Sequence, residues 1–461
     1  MTNTHRIAFA LLLLFNAAPP TQTPTPPDPH FGAVEAYLLP DQAAELRVGW
    51  DRMIIHWYER QPDNSDQWII TPEETERVGT AGAWGREIVG LLMGTPWWAT
   101  DGAPAGGVPR GLYRPVDDPE NLWAVFVRRM AGEYKGKINH WIIWNEPDIA
   151  VEDYGVQFEG SVEDYYQLIK VAYLAAKEAN PDAVIHFAGL TYWHDATRGR
   201  RSYLERFLEV ARTDPSAREH NYYFDVFTAH VYFRSETVFT IINFYRNILN
   251  KYGLRQPIWL NETNAAPDDD PQYPAAPLLP VTMDQQAAFI IQSNALALAA
   301  GAERIAVYKF FDATGPPPGG ESYGLFRPDG SARPAADAFR IVTTYFSGVR
   351  QTTYQQRPAY WLVTLNRRTA ITRVAWARTA NEVTLSLRAT PNMAGAALYN
   401  HRGESIPIEP DRKGYYRLTL PAAVCDDVNG CVVGGSPWIV VETIGATAET
   451  KPVREPSTGT R

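Results

Sequence analysis

Cysteine is nearly absent from this chain: 461 residues hold two, Cys425 and Cys431. Stability must therefore come from a packed core, and one short bridge between these neighbours would act as a local clip worth about 2 kcal/mol. Basic excess is missing too, since 43 Lys and Arg face 52 Asp and Glu for a net charge of −9. That leaves no surface suited to nucleic acid or anionic lipid. No apolar run approaches the roughly 20 residues that span a bilayer. The longest at the N-terminus, Ile7 to Phe15, is about half that, so it excludes an anchor. The nine histidines form no His-x-x-x-His pair beside a Glu, and no Gly-x-Ser-x-Gly elbow or phosphate loop occurs. Neither a metal nor any other cofactor is expected.

What is present is apolar and aromatic. The chain is 45% hydrophobic and 12% aromatic, with 14 Trp, 24 Tyr and 18 Phe, a composition that forms large cores. The run Ile7–Phe15 follows Arg6 and precedes Ala17 and Ala18, the order of a secretory signal peptide over residues 1–18. With no Cys at its end, a lipoprotein anchor is not expected. Residues 19–30, dominated by Pro and Thr, read as an extended linker. The mature chain is expected to be secreted, extracellular or periplasmic, without membrane insertion, and in that compartment Cys425 and Cys431 are expected to pair.

Residues 31–349 alternate short apolar runs with segments of helical period. Candidate strands are Gly32–Tyr37, Trp50–Ile55, Ile88–Met93, Ile138–Trp144, Ala183–Ala188, Val226–His230, Pro257–Asn261 and Arg304–Phe310. Ser161 with Asp164, and Thr282 with Gln285, have the spacing of capping boxes opening helices from Val162 to Ala179 and from Met283 to Gly301. Eight strands each followed by helical sequence predict a (β/α)8 barrel. The open doubly wound sheet would need a glycine-rich turn after its first strand, and Phe31–Tyr37 contains one Gly.

In such a barrel, chemistry gathers at the carboxyl ends of the strands. The fourth predicted strand ends Trp144-Asn145-Glu146-Pro147-Asp148 and the seventh ends Trp259-Leu260-Asn261-Glu262-Thr263-Asn264. Two Asn-Glu pairs on strands facing one another across a barrel mouth supply the two carboxyls that glycosidic cleavage requires. Either glutamate alone could merely cap the next helix; two on those strands point to catalysis.

On these residues the chain resembles the retaining glycoside hydrolases of clan A, closest to glycoside hydrolase family 39, the β-xylosidase and α-L-iduronidase group. The resemblance implies that Glu146 is the acid/base and Glu262 the nucleophile. It extends to Phe224-Asp225-Val226 with His230-Val231-Tyr232, which implies that His230 and Tyr232 lie beside the nucleophile. Arg52 stands where many members keep an arginine that holds the nucleophile ionised. Tyr323-Gly324-Leu325-Phe326, Asp329-Gly330 and Arg333-Pro334-Ala335 resemble the clan's passage from strand eight to helix eight.

Retention needs Glu262 charged and Glu146 protonated, the latter in a drier place near Trp144, with the two carboxyls about 5 Å apart. Asn145 is placed to donate to a sugar 2-hydroxyl. Trp97 and Trp98, His56 and Trp57, and Tyr192 and Trp193 follow predicted strands, as candidates for sugar contact or ordinary packing. Aromatic rings at strand ends, Trp57, Trp97, Trp98, Trp144, Trp193, Tyr232 and Tyr308, are expected to face the cleft. His186 and Asp225 are expected to be structural.

The eighth strand departs from the clan, which often keeps a Trp there: this chain reads Tyr308-Lys309-Phe310-Phe311-Asp312. With eight Lys against 35 Arg, Lys309 invites attention. It could meet a carboxylate on an acidic sugar, or pair with Asp312 or Glu321. The proline-rich loop Ala265–Leu279, with Asp268-Asp269-Asp270, could shape the cleft or be solvated.

From residue 350 to 445 the pattern changes to short alternating runs, Arg373–Trp376, Val383–Leu387, Ala396–Tyr399, Tyr416–Leu420 and Trp438–Val441, which predict an antiparallel β-sandwich. It could bind carbohydrate, but the short linker favours packing support for the barrel. Residues 446–461 read as a disordered tail. The function expected is a secreted retaining glycosidase acting on a plant or microbial oligo- or polysaccharide. The alternatives are an endo-acting glycanase, a carbohydrate-binding protein without turnover, and a wall-associated structural protein.

Overall fold

A computed structural model of the chain describes residues 26–273, 275, 277–313, 322–426 and 430–444. The expected signal peptide, most of the linker and the tail lie outside the described residues.

The first eight strands are β1 (Phe31–Ala33), β2 (Trp50–His56), β3 (Glu87–Met93), β4 (His140–Ile143), β5 (Val184–His186), β6 (Phe227–Tyr232), β7 (Ile258–Asn264) and β8 (Arg304–Val307). They pair in parallel in the order β5-β4-β3-β2-β1-β8-β7-β6, and bridges between His186 and Val226 and between Leu190 and Ala229 close the ring. Helices including Leu122–Glu133, Val162–Ala179, Ser235–Lys251, Met283–Ala299 and Pro334–Tyr345 cover the outside. Both expected capping boxes form, at Ser161 with Asp164 and at Thr282 with Gln285.

The barrel interior is filled rather than hollow. Trp50 and Trp259 meet with ring centroids 5.2 Å apart, and Trp259 also stacks on His140 and meets His186 edge-on. Gly90 is required by this filling, since a Cβ there would lie 2.4 Å from the Trp141 ring.

Four strands end earlier than the apolar pattern predicts: β4 at Ile143 and β5 at His186 by one or two residues, and β1 and β8 by more. β1 stops at Ala33 because Glu35 adopts a left-handed conformation at φ 64° and Ala36–Leu38 turns into a short 3-10 helix. The buried Asp51 carboxylate holds that turn by accepting from the Ala36 N–H at 3.1 Å. β8 stops at Val307. Three strands run further: β2 by one residue to His56, β6 to Tyr232 and β7 to Asn264, the last two with a register shift that pairs Ala229 with Leu260 but His230 with Glu262. Asn261 is thus a bulged residue, and the bulge re-aims the side chains after it.

The second unit contains β9 (Val349–Gln356), β10 (Tyr360–Arg367), β11 (Ala370–Ala377), β12 (Val383–Arg388), β13 (Met393–Tyr399), β14 (Ser405–Pro407), β15 (Tyr415–Leu420), β16 (Cys425–Asp426), β17 (Gly430–Cys431) and β18 (Trp438–Ile444). A six-stranded antiparallel sheet, β14-β13-β18-β11-β10-β9, is covered on one face by the β12–β15 pair. Its other face shares the barrel's hydrophobic cluster through Trp361, Val363, Trp376 and Ile439. Arg378 binds both Glu236 oxygens at 2.7 and 2.6 Å, and Gln292 donates to the Gly435 carbonyl at 2.9 Å. The sandwich is therefore continuous with the barrel core. Cys425 and Cys431 are bonded, and the residues that follow, Val432 and Val433, pack on Ala265, Val281, Ala288 and Phe289.

Candidate active site

β7 carries Glu262 at its carboxyl end, 5% exposed. The Arg52 guanidinium, reaching up from β2 with 2% exposure, approaches its Oε1 at 2.5 Å, and the Tyr232 hydroxyl from β6 donates to its Oε2. Burial pushes this carboxyl up, but Arg52, His230 and Tyr232 together outweigh it and hold Glu262 below the usual carboxylate range. The pairing is reciprocal. Burial works against the Arg52 charge, yet Glu262 keeps its guanidinium more firmly protonated than usual.

Glu146 follows β4 in a sharp turn in which Trp144 and Glu146 both take positive φ, 70° and 44°. Such conformations in non-glycine residues cluster at functional sites. The Glu146 N–H donates to the Gly189 carbonyl at 3.1 Å, tying the turn to the segment after β5. His230 Nδ1 lies 2.7 Å from Glu146 Oε1 and 3.4 Å from Glu262 Oε2, so the imidazole stands between the two carboxyls. Gly189 makes room for it, since a Cβ there would fall 2.0 Å from His230 Nε2. Carboxyl oxygens of Glu146 and Glu262 and a His230 nitrogen all lie within 4.8 Å of one another. That triplet could meet a cation geometrically, but Arg52 already neutralises Glu262 at contact distance, which makes a poor donor set for one.

Glu146 is the more exposed of the two, 16% against 6% for the side chains, not the drier one. Its turn lifts it onto the barrel mouth, while the Trp144 ring points inward, fully buried against Trp123 and Phe158. Gln157 joins the two neighbours: it donates to Glu146 Oε2 at 3.2 Å and accepts from Asn145 at 3.1 Å and, through its carbonyl, from Trp144 at 2.8 Å. Asp148 is buried and accepts from the Thr191 N–H and hydroxyl at 2.9 and 2.8 Å. Burial, then the nearby Glu146, raises it to about 6. Asp148 stands in the quoted strand-four motif, whereas Gln157 and Gly189 sit in loops with no pattern to reveal them.

The aromatic candidates divide. Tyr308 meets Tyr232 and Tyr323 at centroid distances of 5.9 and 5.7 Å, and Tyr232 meets Tyr323 at 5.4 Å, walling the Glu262 side. Trp97 is 61% exposed. Trp98 is half-buried and donates to the Gln61 carbonyl at 2.7 Å. Trp57 does not face the cleft: it is fully buried, stacked on Phe126 and donating to Gln61. His56 stacks on Tyr58 beside Glu59, Tyr192 packs on Phe244, and Trp193 is partly exposed on a short helix. His186 is buried at the barrel floor, 2.8 Å from His140 Nδ1, and Asp225 pairs with Lys177 at 2.8 Å below β6.

Lys309 does not pair with Asp312. Asp312 belongs to Arg333, at 2.7 Å, and Glu321 lies outside the described residues; the Lys309 Nζ is 3.6 Å from Glu35 Oε2 instead. The loop after β7 is not simply solvated either. Its Asp270 is buried and binds Arg327 and Arg333, each at 2.8 Å.

No family model matches the sequence, and no curated protein resembles it significantly. Solved structures do. A family 39 glycoside hydrolase from Bacteroides cellulosilyticus superposes with a TM-score of 0.66 at 15% identity, over 90% of this chain and 81% of that one. A glucosidase from Croceicoccus marinus gives 0.59 at 13%, over 88% and 92%. A monomeric β-xylosidase from Caulobacter crescentus gives 0.58 at 13%, over 91% and 98%. The likeness spans both units and establishes the architecture: the chain has the fold of these glycoside hydrolases, a (β/α)8 barrel followed by an antiparallel β-sandwich.

Proposed function

We propose that the protein is a retaining glycoside hydrolase with Glu262 as nucleophile and Glu146 as acid/base. The observation that carries this is the carboxyl pair at the barrel mouth, within 4.8 Å, with one member held ionised by Arg52 and Tyr232. Retaining enzymes keep their carboxyls roughly 5–5.5 Å apart, while inverting ones need about 6.5–9.5 Å to admit a water.

In the first step a Glu262 oxygen attacks the anomeric carbon as the glycosidic C–O bond breaks and the Glu146 proton passes to the departing oxygen. In the second, Glu146 takes a proton from water, the water oxygen attacks the same carbon, and Glu262 leaves with its charge restored. His230, between the two, orients both carboxyls, Gln157 fixes Glu146, and Asn145 is placed toward the sugar 2-hydroxyl. The fold shared with glycoside hydrolases supports the reading, as do the Cys425–Cys431 bridge and the apolar run Ile7–Phe15 for an enzyme working outside the cytosol.

A panel of aryl β-glycosides and soluble polysaccharides tests it. Wild type should turn over at least one, Glu262→Ala should lose at least 10³-fold in kcat, and azide should restore Glu262→Ala with an inverted glycosyl azide as product. Absence of wild-type turnover across the panel with sugar binding intact would instead support the carbohydrate-binding reading. Endo action has a specific observation in its favour. Exposed Trp97 precedes Trp98, whose carbonyl accepts from Arg110 at 2.6 Å, and Arg110 with Asp101, Val108, Tyr113 and Glu159 lines a groove of about 600 Å³ that offers room for further sugar units.

A further inference from the structure

Glu35 and Lys309 stand at the carboxyl ends of β1 and β8, which are neighbours in the barrel. Backbone hydrogen bonds lock the two segments together: Val34 N–H to the Val307 carbonyl at 3.0 Å, and Phe310 N–H to the Val34 carbonyl at 2.9 Å. Tyr308, next to Lys309, meets the Tyr232 ring at a centroid distance of 5.9 Å, and the Tyr232 hydroxyl donates to Glu262, so the pair adjoins the tyrosine wall beside the proposed nucleophile. Both side chains are partly open, 24% for Lys309 and 22% for Glu35.

Three features set this pair apart from a surface ion pair. The 3.6 Å separation exceeds the 2.7–3.2 Å of an N–H···O hydrogen bond, so neither group spends its donors or acceptors on the other. Among the described residues neither side chain has another hydrogen-bond partner. Glu35 also holds a left-handed φ of 64°, a conformation that costs a glutamate energy and persists only where the surroundings hold it.

We infer that Glu35 and Lys309 form a specificity-determining pair that selects a neutral sugar over a uronic acid, with Glu35 accepting from and Lys309 donating to hydroxyls of the same sugar. This deepens the proposed glycosidase reading and rests on it. A sugar hydroxyl both donates and accepts, so an adjacent carboxylate and ammonium left free of each other match a diol. A uronate fits badly: Lys309 is already neutralised by Glu35, and the incoming carboxylate would meet Glu35 and Glu262 in a partly desolvated cleft.

The test compares kcat/KM on a neutral 4-nitrophenyl β-glycoside and on the corresponding uronide, for wild type, Glu35→Gln and Lys309→Gln. Calorimetric binding of the matching non-hydrolysable thioglycosides runs in parallel. Wild type should favour the neutral sugar, and Glu35→Gln should raise the uronide-to-neutral ratio at least tenfold by freeing Lys309. Lys309→Gln should weaken the neutral sugar about tenfold without that gain. A wild-type preference for the uronide, or ratios within twofold of wild type in both variants, would overturn the inference. If wild type hydrolyses neither glycoside but the thioglycoside affinities shift as stated, the pair stands and the catalytic reading falls. Equal denaturation midpoints of the two variants and wild type identify the ratios as properties of folded protein.

Discussion

Glu262 keeps its charge in a buried strand only because three groups oppose the cost of burial, and each can be removed singly. Replacing Tyr232 by Phe deletes one donor aimed at the proposed nucleophile, and losing one preorganised donor from an active site costs about 10²–10³-fold in kcat. Arg52→Met removes the largest opposing charge, so the carboxyl moves up. The acidic limb of the kcat/KM profile should then shift to higher pH than in wild type, and an unshifted limb would show that Arg52 does not hold Glu262 ionised. At this scale the two glutamates were legible, because a charged residue ending an apolar run is conspicuous in any sequence. Glu35 was not: its importance comes from a backbone turn and from Lys309, some 270 positions away in the chain, and pairings across a barrel have no local pattern.

Elements inherit their precision from buried polar anchors. Asp270, in the loop after β7, and Asp312, after β8, share the fully buried Arg333. Removing one partner of such a set strands a desolvated charge, so Arg333→Met should destabilise by about 3–5 kcal/mol in urea unfolding. A cost below about 1 kcal/mol would mean the loop is held by other contacts. Ser161→Ala, by contrast, breaks one capping box on an exposed helix end and should cost only about 1 kcal/mol. The capping boxes could be read in advance because they are local chemistry at fixed spacing. β9 could not, since Val349–Gln356 is mostly polar and mostly exposed, with no apolar alternation. The bulge at Asn261 was equally silent, and for that reason β7 was expected to end before Glu262 when the residue lies within it.

The whole molecule has a pH response set at the barrel floor. Burial brings His140 down from 6.5 to about 4, so the folded protein excludes a proton that the unfolded chain accepts. Its share of stability is full above about pH 6.5 and is lost as pH falls toward 4, on the order of 3 kcal/mol. Asp148 and Asp51, raised by burial to about 6 and about 7, act in the opposite direction, favouring the fold at low pH and weakening it as pH rises through 4 to 7. The readable quantity is therefore the difference in Tm between wild type and His140→Gln. It should shrink or reverse as pH drops from 7 to 4, and a constant difference would show that His140 titrates alike in both states. The sandwich belongs to this same scale. Its alternating strands announced an antiparallel unit, but that its face completes the barrel's hydrophobic cluster is a property of packing that no segment carries alone.

Val432 and Val433, beside the Cys425–Cys431 hairpin, close over Ala265, three residues past Glu262. The backing of β7 is therefore made late. A ribosome releases β7 long before the segment that supports it, so the barrel mouth stays unfinished until nearly the whole described chain has been synthesised. For the proposed glycosidase, this order of assembly would postpone competence until the segment after the hairpin has been made.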